Sequence, residues 1–94
     1  MNSYESVIIV KPNLEENKIK EIENKYCNLI KEYGELEDIE NKGQKMLAYE
    51  IKGNKEGLYI IFYFKSEVSF IEELERQYRI DENILKFIVI RTDE

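Results

Sequence analysis

Apolar side chains recur with two different periods along this 94-residue chain, and the switches between them mark out six segments. Residues 4–10 are largely apolar and β-branched, which predicts a strand, and Pro12 ends it because a residue without an N–H cannot extend a ladder. Asn13 offers a side-chain oxygen as an N-cap, so a helix is expected from Leu14. Ile19, Ile22, Tyr26, Leu29, Ile30 and Tyr33 then follow at three- and four-residue spacing on one stripe, and Gly34 reads as the left-handed residue that closes the helix. Residues 35–51 are long for one strand, and Gly43 in their middle predicts a bulge. Beyond it Leu47, Tyr49 and Ile51 alternate onto one face. The two-glycine stretch 52–57 predicts a hairpin that pairs residues 44–51 with 58–64. Ser66 reads as the cap of a second helix with Phe70, Ile71, Leu74 and Tyr78 on one side, and residues 84–90 as the last strand.

That order places the chain in the α+β class as a single domain over residues 1–94. The arrangement expected is ferredoxin-like βαββαβ, a four-stranded antiparallel sheet with two helices on one face. Ile8, Ile30, Phe62, Phe64, Leu74 and Phe87 lie on the inward side of their elements and form the expected core. Parity then turns Val7, Ile9, Tyr59, Ile61, Tyr63, Ile88 and Ile90 to the open face of the sheet. An apolar patch of that extent exceeds what monomers usually leave in water, so it predicts a partner.

Composition narrows the chemistry. With 43% hydrophobic and 36% charged residues the chain can bury one small core. A single cysteine, Cys27, rules out an intrachain disulfide, and the absence of histidine removes the commonest general base and metal ligand. Cys27, beside an apolar stripe, reads as a packed thiol. Glu72-Glu73 and the run through Glu35, Glu37 and Asp38 read as solvated faces, so no catalytic residue, metal or cofactor is expected. No apolar run approaches the roughly 20 residues of a membrane span, and the amino terminus lacks a secretory pattern. The net charge of −6 works against phosphate binding, although Lys42, Lys45, Lys52 and Lys55 bracket one hairpin.

Gly43, Lys45, Leu47, Ala48, Tyr49, Ile51 and Lys52 carry a more specific signal. Read with Tyr4-Glu5, Pro12-Asn13-Leu14 and residues 84–91, they resemble the bacterial small-subunit ribosomal protein six family, over residues 4–91. The chain departs from the family pattern at Met46, at Asn2 and Ser3, where members often carry basic residues, and at Glu50, where some have proline. The resemblance implies a structural constituent of the small ribosomal subunit, located on the cytoplasmic ribosome and without enzymatic activity. It also implies binding to small-subunit ribosomal RNA in its central domain, together with ribosomal protein eighteen, a small, strongly basic partner. Under it Lys45, Lys52, Lys86 and Arg91 are the expected RNA contacts; without it Lys45 reads equally as a phosphate contact or as an edge-strand lysine that discourages aggregation, and the alternative for Lys86 and Arg91 is a solubilising charge at the sheet rim. Arg76 and Arg79 read first as balancing the acids of their own helix.

Two other functional classes share this topology. A regulatory ligand-binding module would carry a glycine-rich loop after the first strand, where this chain has Lys11-Pro12-Asn13. A small phosphatase of the acylphosphatase kind would need an arginine in that loop, and the first arginine here is Arg76. The basic-aromatic strand signature of RNA-recognition motifs is also missing, so Tyr59 and Tyr63 are not read as base-stacking residues.

Overall fold

The computed structural model describes residues 1–93. Its elements run β1 (Asn2–Val10), α1 (Glu16–Tyr33), β2 (Gly34–Ile51), β3 (Asn54–Ser66), α2 (Val68–Ile80) and β4 (Ile84–Arg91). The strands form one antiparallel sheet in the order β2-β3-β1-β4. This is the expected ferredoxin-like arrangement, with β2 and β4 as the two edges.

The alternation in β3 decides which face the helices cover. Leu58, Ile60, Phe62 and Phe64 are buried while Tyr59, Ile61 and Tyr63 are only half-buried. Tyr26 of α1 packs edge-on against Phe62, and Phe70 of α2 against Phe64, so both helices lie over the same side. Ile8, Ile30, Phe62, Phe64 and Leu74 are completely buried, as parity predicts. Phe87 is half-buried because β4 is an edge strand, yet it packs on the same cluster. Ser6 occupies an inward position of β1 and is satisfied by Tyr78, whose Oη lies 2.5 Å from Ser6 Oγ.

The boundaries differ from the sequence reading wherever a long-range contact outbids a local cap. Asn13 does not cap α1: it turns in the left-handed region (φ 63°), and its N–H donates to Gln44 Oε1 at 3.0 Å, so the helix begins at Glu16. Gly34 is extended and opens β2 opposite Ser66, and glycine is required there because a Cβ would sit 2.2 Å from the Lys65 carbonyl oxygen. Ser66 is the paired end of β3, and Glu67 holds the cap position of α2. Tyr33 is 52% exposed at the end of its helix and stacks on Phe70.

The hairpin is longer and tighter than expected. Its turn is the two residues Lys52 (φ 49°) and Gly53 (φ 81°), the mirror-image geometry that matches strand twist. The register therefore slides, pairing Lys45 with Gly57 and Leu36 with Phe64. Gly43 (φ 84°) follows the expected bulge, where its N–H donates to Asn41 Oδ1.

Candidate interaction surfaces

Cross-strand register writes the open face of the sheet as rows. Ile88, Val7, Ile61 and Glu40 lie side by side from β4 to β2, followed by Ile90, Glu5, Tyr63 and Asp38. The next row in the other direction is Lys86, Ile9, Tyr59 and Gly43. Glu40 and Asp38 thus close these two rows on β2, and Glu5 stands inside the second between Ile90 and Tyr63. Ile88 (53% exposed) and Ile90 (45%) are open to solvent at the β4 edge, while Val7, Tyr59, Ile61 and Tyr63 are half-buried. Ile9 is different, at only 9% exposed. It is roofed by the hairpin, since its Cγ2 lies 2.4 Å from where a Gly57 Cβ would stand, with Leu47 alongside that position. Val7, Ile9, Tyr59, Lys86 and Ile88 line a shallow apolar depression of about 240 Å³.

A carboxylate fixes Tyr63 on this face. Tyr63 Oη donates to Glu40, which also pairs with Lys42 at 3.1 Å. Those two partners hold the Glu40 carboxyl below its ordinary range, and the Glu40 contact, ahead of burial, pushes Tyr63 up to about 12.

The four predicted cations do not form one group. Lys86 on β4 meets the distal hairpin: its Nζ donates to Tyr49 Oη at 2.8 Å and stands 5.4 Å from that ring's centroid. This hydrogen bond raises the Lys86 pKa. Lys52 at the hairpin turn reaches the same end of β4 and, with Arg79, Ile84, Leu85 and Lys86, lines a second depression of about 250 Å³. Arg91 lies five residues further along β4, about 17 Å away at strand rise, where it pairs with Asp93 and Asn2. Lys45 is exposed on the hairpin stem opposite Gly57.

Arg79, which the sequence reads as balancing the acids of its own helix, lines the same depression. A cation in the last turn of a helix has an ordinary explanation in the helix dipole, so nothing in the sequence singles it out. Only the fold carries it to Lys52 and Lys86.

The acidic candidates stay on surfaces. Glu73 receives both Arg76 and Gln77 on its own helix, and those contacts bring its pKa down to about 2. Among the described residues no three acidic or cysteine side chains converge as a metal site. Cys27 is half-buried, and burial pushes its thiol pKa up, away from nucleophilic character.

The family model for Ribosomal protein S6 matches residues 3–91. The small ribosomal subunit protein bS6 of Helicobacter hepaticus is 49% identical over 92 residues, which cover 97% of this chain and 67% of that protein. The bS6 protein of Heliobacterium modesticaldum is 39% identical across 100% of this chain and 99% of its own length. The crystal structure of 30S ribosomal protein S6 from Thermotoga maritima superposes with a TM-score of 0.91 at 31% identity, covering 97% of this chain and 87% of that one.

Proposed function

This chain belongs to the Ribosomal protein S6 family, and we propose that it docks the strongly basic ribosomal protein eighteen on its open sheet face and binds, jointly with it, the central domain of small-subunit ribosomal RNA. Its relatives are proteins of the small ribosomal subunit, which makes it a structural constituent of the cytoplasmic ribosome rather than an enzyme. The observation that carries the proposal is the open face itself. Ile88, Val7 and Ile61 form one row, Ile90 and Tyr63 belong to the next, and Tyr59 flanks Ile9. Glu5, Asp38 and Glu40 stand among them. An apolar stripe interspersed with carboxylates suits a cationic protein better than a phosphate chain, because only the protein gains from both features. In this reading Lys45, Lys52, Lys86 and Arg91 lie around the partner's footprint and contact RNA phosphates. The loop after β1 is a tight turn at Pro12 and Asn13, which does not favour an effector-binding module.

Calorimetric titration with the purified basic partner tests the docking face. Ile88→Asp, at an exposed edge position, is expected to weaken the complex by at least about tenfold, equivalent to about 1.4 kcal/mol. Ile61→Asp, at the centre of the stripe, is expected to abolish it. Circular dichroism checks that both variants remain folded. Unchanged affinity for folded Ile88→Asp and Ile61→Asp would remove this face from the interface.

A further inference from the structure

The two edges of the sheet are not equally guarded. β2 carries Glu35, Glu37, Asp38 and Glu40, and register shifts before Asp38 and before Gly43 interrupt its ladder, both of which discourage a further strand from pairing. β4 has neither device. From Phe87 to Ile90 it is a continuous apolar run in regular register with β1, and Ile88 and Ile90 are exposed. The Thr92 N–H donates to the Ser3 carbonyl, so Thr92 and, by alternation, Ile90, Ile88 and Lys86 aim their backbone groups at β1. The N–H and C=O groups of Phe87, Val89 and Arg91 therefore point outward along the free edge.

Charge selects how a second copy fits this edge. At the start of β4 Lys52, Arg79 and Lys86 line a depression beside Leu85, and among the described residues none of the three lies within ion-pair distance of an acid. Beyond the other end comes Asp93, and Glu5 lies beside Ile90. An antiparallel copy centred on Val89 sets Phe87 against Arg91 and Leu85 against Asp93, so that outward backbone groups meet outward backbone groups, while Ile88 falls against Ile90 on the open face. Two-fold symmetry makes each of these contacts twice, and each cationic end receives the other copy's Asp93. Centring on Phe87 instead would bring the two cationic ends together. We propose that β4 is a homodimerisation edge, at which two copies of this chain pair antiparallel about Val89 and join their sheets into one. The dimer covers Ile88 and Ile90; resting on the docking reading above, which assigns both residues to the basic partner, that partner displaces the second copy and the dimer is the form held before assembly.

Sedimentation equilibrium of the full chain tests this by reading mass against concentration. The mass is expected to rise from 11.3 kDa towards twice that value, with a dissociation constant between about 1 μM and 1 mM, as suits a small interface. Val89→Pro deletes one outward N–H and spares the ladder to β1, so it should remain folded by circular dichroism and stay monomeric. Arg79→Glu and Asp93→Arg should each weaken association about tenfold, and the double variant should recover most of the loss. A mass of 11.3 kDa at every concentration up to about 1 mM would overturn the proposal, as would a dimer that folded Val89→Pro leaves unchanged or charge reversals that the double variant does not rescue. Adding the basic partner separates the two readings. If the partner binds a chain that never self-associates, the dimer falls and the docking reading stands; if it binds the dimer without dissociating it, the dimer stands and the partner docks elsewhere.

Discussion

Asp81 ties three parts of the helical layer together through a single side chain that is only 5% exposed. Its carboxylate accepts from the Tyr26 hydroxyl, from Lys25 Nζ at 3.3 Å and from the Asn83 backbone N–H at 2.9 Å. Burial is the largest single influence and pushes its pKa up, but the three donors together outweigh it and hold the group below its ordinary value. A depressed folded pKa stabilises the protein above the ordinary carboxylate range, and that contribution is lost as pH falls through the folded value. Asp81→Asn is therefore expected to be less stable than wild type at pH 7 by about 1 to 3 kcal/mol, with the gap closing below about pH 4. Urea melts of both proteins at pH 7, 5 and 3 check this; curves that stay parallel at all three would show that Asp81 gains nothing from ionisation. The sequence offers Asp81 only as one acid of an Asp-Glu pair. Side chains such as Phe62 and Leu74 were legible because period alone decides their direction, whereas the worth of Asp81 depends on Tyr26, 55 residues away.

The strand β2 shows the same limit for whole elements. Its existence, its bulge at Gly43 and its pairing with β3 were readable from alternation and glycine placement. Its start and its register were not. Gly34 looks like a helix stop, yet its backbone is extended (φ −165°), a conformation open to any residue, so the need for glycine lies in close approach to β3. A methyl group 2.2 Å from a backbone oxygen cannot be accommodated by rotating a side chain. Gly34→Ala is expected to cost about 3 kcal/mol, at the upper end of overpacking losses, and to speed amide exchange in the first residues of β2. Denaturant melts with exchange measurements test both halves; a loss under about 0.5 kcal/mol would mean that Gly34 does not pair with Ser66 as described. The hairpin register was hidden for a related reason. Residues 52–57 contain two glycines, but only Gly53 turns, while Gly57 stays in β3 beneath Ile9 and Leu47. The contact between Tyr49 and Lys86 joins two segments that share no local pattern.

At the scale of the molecule, charge and surface are sorted so that the two proposed ligands need one another. The excess of 20 acids over 14 bases repels a phosphate lattice at long range, while the carboxylates beside the open apolar face attract a cationic protein. Of the basic positions, Lys45 and Lys52 lie on the hairpin, and Lys86 and Arg91 towards the two ends of β4. The overall acidity was plain from composition; the concentration of three cations at one end of β4 became visible only with the hairpin turned over it. RNA binding should therefore depend on the partner. The isolated protein is expected to shift central-domain RNA fragments at low salt only, if at all, and the basic partner should raise apparent affinity by at least about 100-fold at physiological salt, or about 2.7 kcal/mol of coupling. By reciprocity, RNA should tighten the protein–protein complex by the same factor. Gel-shift titrations with and without the partner, at 50 and 200 mM salt, measure one leg of this cycle, and calorimetry with and without RNA the other. Tight RNA binding by the isolated protein that is insensitive to salt would overturn the division of labour. A partner that binds this protein yet leaves its RNA affinity unchanged would show that the two surfaces work independently.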